Sequence, residues 1–409
     1  MNVAYCGLLL PEEKKLSERS KERLSGISGH KVTMATIKGI DANLDTPVTV
    51  FNIINTLNYP HFPQLIFPTE QWSHMLNSED WHIGYMNIIG IKYITQTVNL
   101  YRKLSEWIKK RGNEECIICV HYIYYPAMFA ACLCKKRYKT QVKLCLNTGD
   151  MPGKFGLGSQ VQSSLKNFLI RNVIEKGIMS MAKSFDNFVF VTEDMATAFD
   201  VKEKPHVIIE GTYIRPPYAE EYEIYSNFEN KKKSIFYAGA LRPEYGIEHL
   251  LRAFSMIRDN DFELILAGGG PSEDTIKKFA KQDSRIHFLG FITPQEVLKQ
   301  QKKATVLVSP RTSELEYVKY SFPSKSLDSL ASGVPYVAHK LPCDPPEYKD
   351  YIQYADNDSD EGLKDKLYEI CSLSAEERRA LGRKAMNFIL TEKNPDNLCK
   401  KIVEMWRNA

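Results

Sequence analysis

The sequence has no uninterrupted apolar run of the roughly 18 residues that a membrane-spanning helix requires, so no segment reads as a span. Its first residues, MNVAYCGLLLPEE, start apolar but lack the basic flank of a signal peptide. The run ends at Pro11, Glu12 and Glu13, and it reads as a first buried strand. An excess of one charge is also missing. With 54 basic and 50 acidic residues the net charge is +4, too mild to point to nucleic acid. The nine cysteines are odd in number and most sit in apolar runs. Cys116 and Cys119 form a CxxC without a second CxxC or a histidine pair, which suggests buried thiols in a reducing cytoplasm rather than zinc. No GxGxxG follows the first strand, and the glycines at 268–270 have the wrong spacing, which argues against an NAD enzyme. There is no internal repeat beyond two similar halves and no low-complexity segment.

What remains is a chain of ordinary composition, 43% hydrophobic and 25% charged. Its 409 residues exceed one comfortable core and predict two domains. The second half alternates strands and helices. Strands are predicted at 234–241, 262–268, 285–291, 304–310 and 334–338, with helices at 246–258, 272–281, 294–301 and 323–331 between them. Such alternation predicts a parallel sheet covered on both faces. The first half repeats the rhythm more faintly. Strands are predicted at 3–9, 32–38, 117–121, 143–147 and 187–192, and helices near 85–111, 125–137 and 160–183. Residues 41–80, rich in Asn, Pro and His, fit no element. A polar, turn-rich stretch at 212–232 marks the domain boundary, and helices are expected at 360–372, 375–391 and 396–409.

Several landmarks stand in order in the second half: YAGAL-RPEYGIEHLLRAF, LILAGGGP, IHFLGFITPQEVL, ATVLVSPR and YSFPSKSLDSLASGVPYVA. Together they resemble the C-terminal half of GT-B glycosyltransferases of the family 4 group, in the branch that makes bacterial surface polysaccharides. The first half matches only in strand rhythm and in VTEDMA and IIEG before the linker. The resemblance implies an α/β fold of two Rossmann-like, doubly wound domains facing across a cleft. Residues 1–212 would hold the acceptor and 213–395 the nucleotide sugar, and the helix 396–409 would return to the first domain. It implies transfer of a sugar, with retention, from a nucleotide diphosphate sugar to the hydroxyl of a saccharide or lipid-linked acceptor. UDP is the donor nucleotide most frequent in such enzymes.

The expected site departs from the family in part. The Arg and Lys that normally touch the diphosphate read Ala240 and Tyr245, and the paired glutamates read Tyr320 and Asp328. Replacement cations are available. Arg311 closes a strand at the carboxyl edge of the sheet, where ligands bind in open α/β folds. Pro323 opens a helix whose N–H groups at Ser324 and Lys325 face outward, and Lys325 adds an ammonium. A lysine in a first turn opposes the helix dipole unless an anion is bound. By resemblance Asp328 accepts from the ribose, and Tyr320 meets the donor sugar without acting as a carboxylate. Gly290 and Phe291 flank the base, although Phe291 also reads as core, and Gly239 ends the first strand of the half. His121 and Asp150 end strands of the first half, where the resemblance turns them toward the sugar. Their alternatives are an edge histidine and a turn aspartate before Pro152.

Two DxD spacings, Asp259/Asp261 and Asp356/Asp358, read as solvated turns. No metal and no cofactor is expected, the nucleotide sugar being a substrate. The altered donor residues leave a second reading open: a catalytically silent subunit that binds a sugar nucleotide or scaffolds a partner. Finally, residues 135–183 hold ten Lys or Arg against Asp150 and Glu175. Within them, 160–183 has an amphipathic pattern that reads either as a seat on anionic lipid or as a core helix with a basic outer side. The protein is expected in the cytoplasm, at the inner face of the membrane if that seat is used.

Overall fold

The computed structural model describes residues 1–9, 27–152, 165–219 and 232–408. The described chain divides into two compact units, 1–210 with 395–409, and 211–394.

The first unit is built on β1 (Asn2–Gly7), β2 (Thr49–Asn52), β3 (Ile66–Phe67), β4 (Glu70–Trp72), β5 (Asp80–His82), β6 (Tyr85–Met86), β7 (Cys116–His121), β8 (Val142–Thr148), β9 (Asn187–Phe190) and β10 (His206–Ile208). Its main sheet runs β10-β9-β8-β7-β1-β2-β5-β4. All pairs are parallel except β4 on β5, and β3 and β6 form a separate antiparallel pair. Runs such as CIICVH are buried along their whole length, as a strand covered on both faces demands. Among the described residues up to 210, the helices of this unit are α1 (Ile27–Asp41), α2 (Ile91–Lys109), α3 (Tyr125–Tyr138), α4 (Leu165–Ala182) and α5 (Glu193–Ala198).

The strand expected at 32–38 is a helix. VTMATIK is rich in β-branched residues, but its buried positions include Thr33, Thr36, Ile37 and Ile40, the i, i+3, i+4, i+7 spacing of a helix face. Tertiary packing outweighs local propensity here. Gly39 lets α1 lie against the last helix, since a Cβ there would come 2.5 Å from the Pro395 carbonyl oxygen. The helix predicted from residue 85 begins only at Ile91, after β6. Of the predicted segment 160–183, residues 160–164 lie outside the described residues, as do Lys154, Val161 and the side chains at Leu165, Phe168, Leu169 and Val173.

The second unit contains β11 (Lys233–Ala238), β12 (Phe262–Ala267), β13 (Ile286–Phe288), β14 (Val306–Ser309), β15 (Tyr336–Ala338) and β16 (Gln353–Tyr354). They form one parallel sheet in the order β13-β12-β11-β14-β15-β16. Counted within the unit this is 3-2-1-4-5-6, the doubly wound Rossmann order, whose direction of winding switches between its first and fourth strands. The helices are α6 (Ile247–Ser255), α7 (Glu273–Gln282), α8 (Pro294–Lys303), α9 (Lys325–Ala331), α10 (Asp360–Ser372) and α11 (Ala375–Glu392). Leu250, Leu251 and Phe254 of α6 and Leu363 and Leu367 of α10 pack on the sheet around Ile235, Leu264 and Val306. The last helix, α12 (Pro395–Asn408), puts Cys399, Ile402 and Trp406 into the core of the first unit beside Ile37 and Ile40.

At the edge of the first sheet His74 bridges two carboxylates, with Nε2 2.8 Å from Asp41 and Nδ1 2.7 Å from Asp80. Burial opposes its charge, but both hydrogen bonds and both negative charges favour it, and its pKa rises to about 9. The folded state therefore binds a proton that the unfolded chain has lost above its ordinary value near 6.5. This stabilisation is full below that value and disappears as pH rises through 9. Its ceiling is on the order of 3 kcal/mol. Melting temperature should thus fall between pH 7 and pH 9.5, and His74→Gln should flatten this fall. A wild type and variant with the same pH slope would contradict the bridge.

Candidate functional site

The second unit holds a cavity of about 580 Å³ at the carboxyl ends of its strands. Ala238 and Ala240 at the end of β11 and Ser309 and Arg311 at the end of β14 line it, so it opens at the switch in winding between those two strands. Of the residues expected from sequence, Arg311, Ser324, Lys325, Asp328 and Phe291 come together in this wall.

Arg311 is its most unusual member. The side chain is 6% exposed and no carboxylate pairs with it among the described residues. One guanidinium nitrogen donates to the Ser321 carbonyl oxygen at 3.2 Å, while Nε and Nη2 are buried without an acceptor. Aromatic faces hold the group instead, with the Tyr317 ring 4.7 Å and the Tyr245 ring 5.9 Å from Cζ. Aromatic rings steady a cation without cancelling its charge. The geometry so keeps a positive charge and two free donors ready for an anion, at an energetic cost while empty. Tyr245 therefore helps to place a cation that arrives from another strand.

Local structure fixes this arrangement. Gly246 begins α6 with φ of +78°, and a Cβ there would lie 2.0 Å from the carbonyl oxygen of Pro310, the residue before Arg311. On the far side Asp358 accepts from the Ser313 amide at 2.9 Å and from its hydroxyl at 2.5 Å. The Asp358 carboxylate lies 3.4 Å from His339, which bonds His249 at 2.8 Å, and His249 reaches Asp360. Asp358 is thus a structural clasp for the loop that carries Arg311, not a solvated turn. Its partners are distant in sequence, and the DxD spacing gave no hint of them. Asp259 does cap its own turn, accepting from the Asp261 amide at 2.9 Å.

On α9, Ser326, Leu327, Leu330 and Ala331 are buried, which leaves Lys325 and Asp328, one turn apart, facing the cavity. Ser326 is tied to the Tyr336 hydroxyl at 2.8 Å. Burial raises the Asp328 carboxyl above its ordinary value, and Lys325 partly offsets this. With only seven residues α9 offers little macrodipole, so the side-chain cations must supply most of the positive charge. Phe291 is 88% exposed at the rim, which rules out the core reading and leaves a ring face for a planar group. Gly290 accepts from the Gly268 amide at 2.8 Å, and Gly239 lies against Tyr237. Both support the floor without lining it. Tyr320 is buried at the end of a short helical turn, Glu316–Tyr320, and does not line the cavity. Its expected contact with a sugar finds no support in this geometry.

His121 and Asp150 belong to the first unit, at the ends of the neighbouring strands β7 and β8. The Tyr5 hydroxyl lies 2.5 Å from His121 Nδ1, and the imidazole stacks on Tyr122 with centroids 4.0 Å apart. Burial lowers the His121 pKa to about 3, so the ring is neutral and can orient a polar group but not carry a proton as imidazolium. The Asp150 carboxyl is raised by burial and opens to solvent at the strand end. Among the described residues no group of three His, Cys, Asp or Glu side chains is arranged to hold a metal. Cys116 and Cys119 are buried, and burial raises both thiols, Cys116 to about 11.

Residues 219–388 match the family described as glycosyl transferases group 1. Alpha-monoglucosyldiacylglycerol synthase of Streptococcus pneumoniae is 28% identical over 201 residues, covering 45% of this chain and 42% of the relative. The chain thus matches less than half the length of that curated relative. Among solved structures, sucrose-phosphate synthase from Thermosynechococcus elongatus superposes with a TM-score of 0.61 at 13% identity, over 100% of this chain and 98% of its own. HepE of Anabaena in complex with UDP gives 0.57 at 12% identity, over 100% of both chains. At these identities the structures show a shared fold.

The unpaired guanidinium predicts how the empty cavity behaves. Inorganic pyrophosphate at 100 times its dissociation constant should stabilise the protein by about 2.7 kcal/mol. Arg311→Met should melt no lower than wild type without ligand and lose this shift. A variant that melts much lower and still responds to pyrophosphate would show that Arg311 is structural.

Proposed function

The chain has the GT-B fold and its residues 219–388 form a glycosyl transferases group 1 domain, and from that premise we propose that it moves a sugar from a nucleoside diphosphate sugar to an acceptor hydroxyl. The observation that carries this is Arg311, a buried cation with two unused donors at the switch point of a Rossmann sheet. Breaking the bond between the sugar and the phosphate leaves the electron pair on the departing diphosphate. Charge therefore grows during the step, and preorganised donors stabilise the transition state more than the bound substrate. Arg311 suits two phosphate oxygens at once, Lys325 provides a point charge, Asp328 accepts from ribose hydroxyls, and Phe291 stacks on the base. Retention, UDP as the nucleotide and a saccharide or lipid-linked acceptor, in surface polysaccharide or glycolipid synthesis, complete the proposal. The relative's name, with its glucosylated diacylglycerol, supports the glycolipid branch. The cysteines, all unpaired, fit a reducing compartment, the cytoplasm.

Arg311→Ala and Lys325→Ala should each lower turnover by about 100-fold or more, measured as product formed from a panel of nucleotide sugars, with folding checked by melting. Near-normal turnover in both would place the diphosphate elsewhere. A wild type that neither transfers sugar nor binds any nucleotide would leave the silent subunit as the reading.

A further inference from the structure

The first unit carries an apolar surface that neither the cavity nor the donor chemistry uses. Residues 53–69 contain no charged side chain, and 81–101 contain only Lys92. That ammonium is turned inward, 2.5 Å from the Thr56 carbonyl oxygen. Yet much of this apolar content is not core. Within 53–69 and 81–101, ten large apolar residues are more than a third exposed, among them Leu57, Ile66, Ile91 and Val98, with Ile89 at 72% and Ile94 at 64%.

These residues form one surface. Ile66 pairs with Met86 across the β3–β6 hairpin, and the Met86 amide bonds the Thr95 hydroxyl of α2 at 3.2 Å. The Tyr59 amide donates to the Asn87 carbonyl oxygen, and the Asn87 amide to that of Leu65. Helix α3 extends the surface: Tyr124 lies 6.4 Å from Tyr93, and beyond it Tyr125 and Phe129 stack at 5.9 Å, both exposed. Soluble surfaces rarely leave so large a contiguous patch open.

Charge is arranged around it in one direction. Helices α2 and α3 run side by side in the same sense, since Tyr124 meets Gln96 at one end and Arg137 meets Tyr101 toward the other. Their starts are apolar and their ends basic, with Arg102, Lys109, Lys136 and Arg137 exposed. Glu106, the acid in this region of α2, is held by Lys103 at 3.0 Å. The outward stripe Ile91–Ile94–Val98 spans about 10 Å at 1.5 Å per residue, and Arg102 follows about 6 Å further on. An interfacial element sinks about 5–10 Å, which brings such a cation to the headgroup phosphates. A second copy fits less well, because a two-fold contact would turn the basic flank on itself.

We propose that this tip, the β3–β6 hairpin with the starts of α2 and α3, seats the protein in the surface of an anionic lipid bilayer. The starts of both helices lie at the carboxyl edge of the sheet that also carries His121 and Asp150. An acceptor with its tail in the bilayer would meet the first unit at that edge. The seat is independent of the donor reading, because binding to lipid requires neither nucleotide nor turnover.

The test is flotation of the full chain with vesicles of phosphatidylcholine, alone and with added phosphatidylglycerol. Ile94→Gln/Val98→Gln changes two exposed helix positions and should weaken binding about tenfold or more. Arg102→Gln/Lys109→Gln should remove the preference for phosphatidylglycerol and its sensitivity to salt. Three results would overturn the proposal: no vesicle binding by the wild type; binding lost in Lys166→Gln/Arg171→Gln/Lys176→Gln but kept in Ile94→Gln/Val98→Gln; or a dimer in sedimentation that Ile94→Gln/Val98→Gln dissociates without any binding to vesicles.

Discussion

A buried guanidinium that no carboxylate among the described residues contacts directly is the constraint around which the second unit is arranged. Arg311 sits at the end of β14, beside the point where the sheet reverses its winding, and two aromatic faces rather than a carboxylate hold it. Leaving Nε and Nη2 unsatisfied costs stability. The surrounding structure tolerates this because the loop is fixed from both sides, by the close approach of Gly246 to Pro310 and by the clasp of Asp358 on Ser313. A carboxylate partner would have made the fold more comfortable and the site useless for an anion.

The two positions where the resemblance expects cations, Ala240 and Tyr245, take on a physical meaning in this light. Ala240 vacates space in the cavity wall, and Tyr245 provides a ring where a lysine would have provided charge. The charge comes from Arg311 and Lys325 on other elements, facing the same cavity. A comparison position by position registers two losses here, whereas the cavity carries two cations, Arg311 and Lys325, on other elements.

Legibility in the sequence followed the length and burial of each element. In the second unit KSIFYA and FELILA are long enough to read directly, and helix faces such as Ile247, Leu250, Leu251 and Phe254 left no ambiguity. The first unit hid two things. VTMATIK has the composition of a strand, and only packing against a distant helix through Gly39 makes it α1. Between residues 49 and 86 the chain uses strands of two to four residues, too short for any period to emerge. That same stretch carries the charge-free apolar tip, so the least readable part of the sequence became one of the most informative surfaces. At the site, a strand end and a helix start located Arg311 and Lys325, and the resemblance pointed to Asp328 and Phe291. The burial of Tyr320 and the clasp formed by Asp358 depend on contacts between distant segments, which spacing along the chain does not encode.

The central claim is that a diphosphate completes Arg311. Its most direct test is a crystal structure with a nucleoside diphosphate bound. The account predicts phosphate oxygens within hydrogen-bond distance of Nε and Nη2 of Arg311, with Lys325 on the terminal phosphate and the base against Phe291. A nucleotide bound elsewhere, or one in this cavity that leaves Nε and Nη2 without an acceptor, would contradict it.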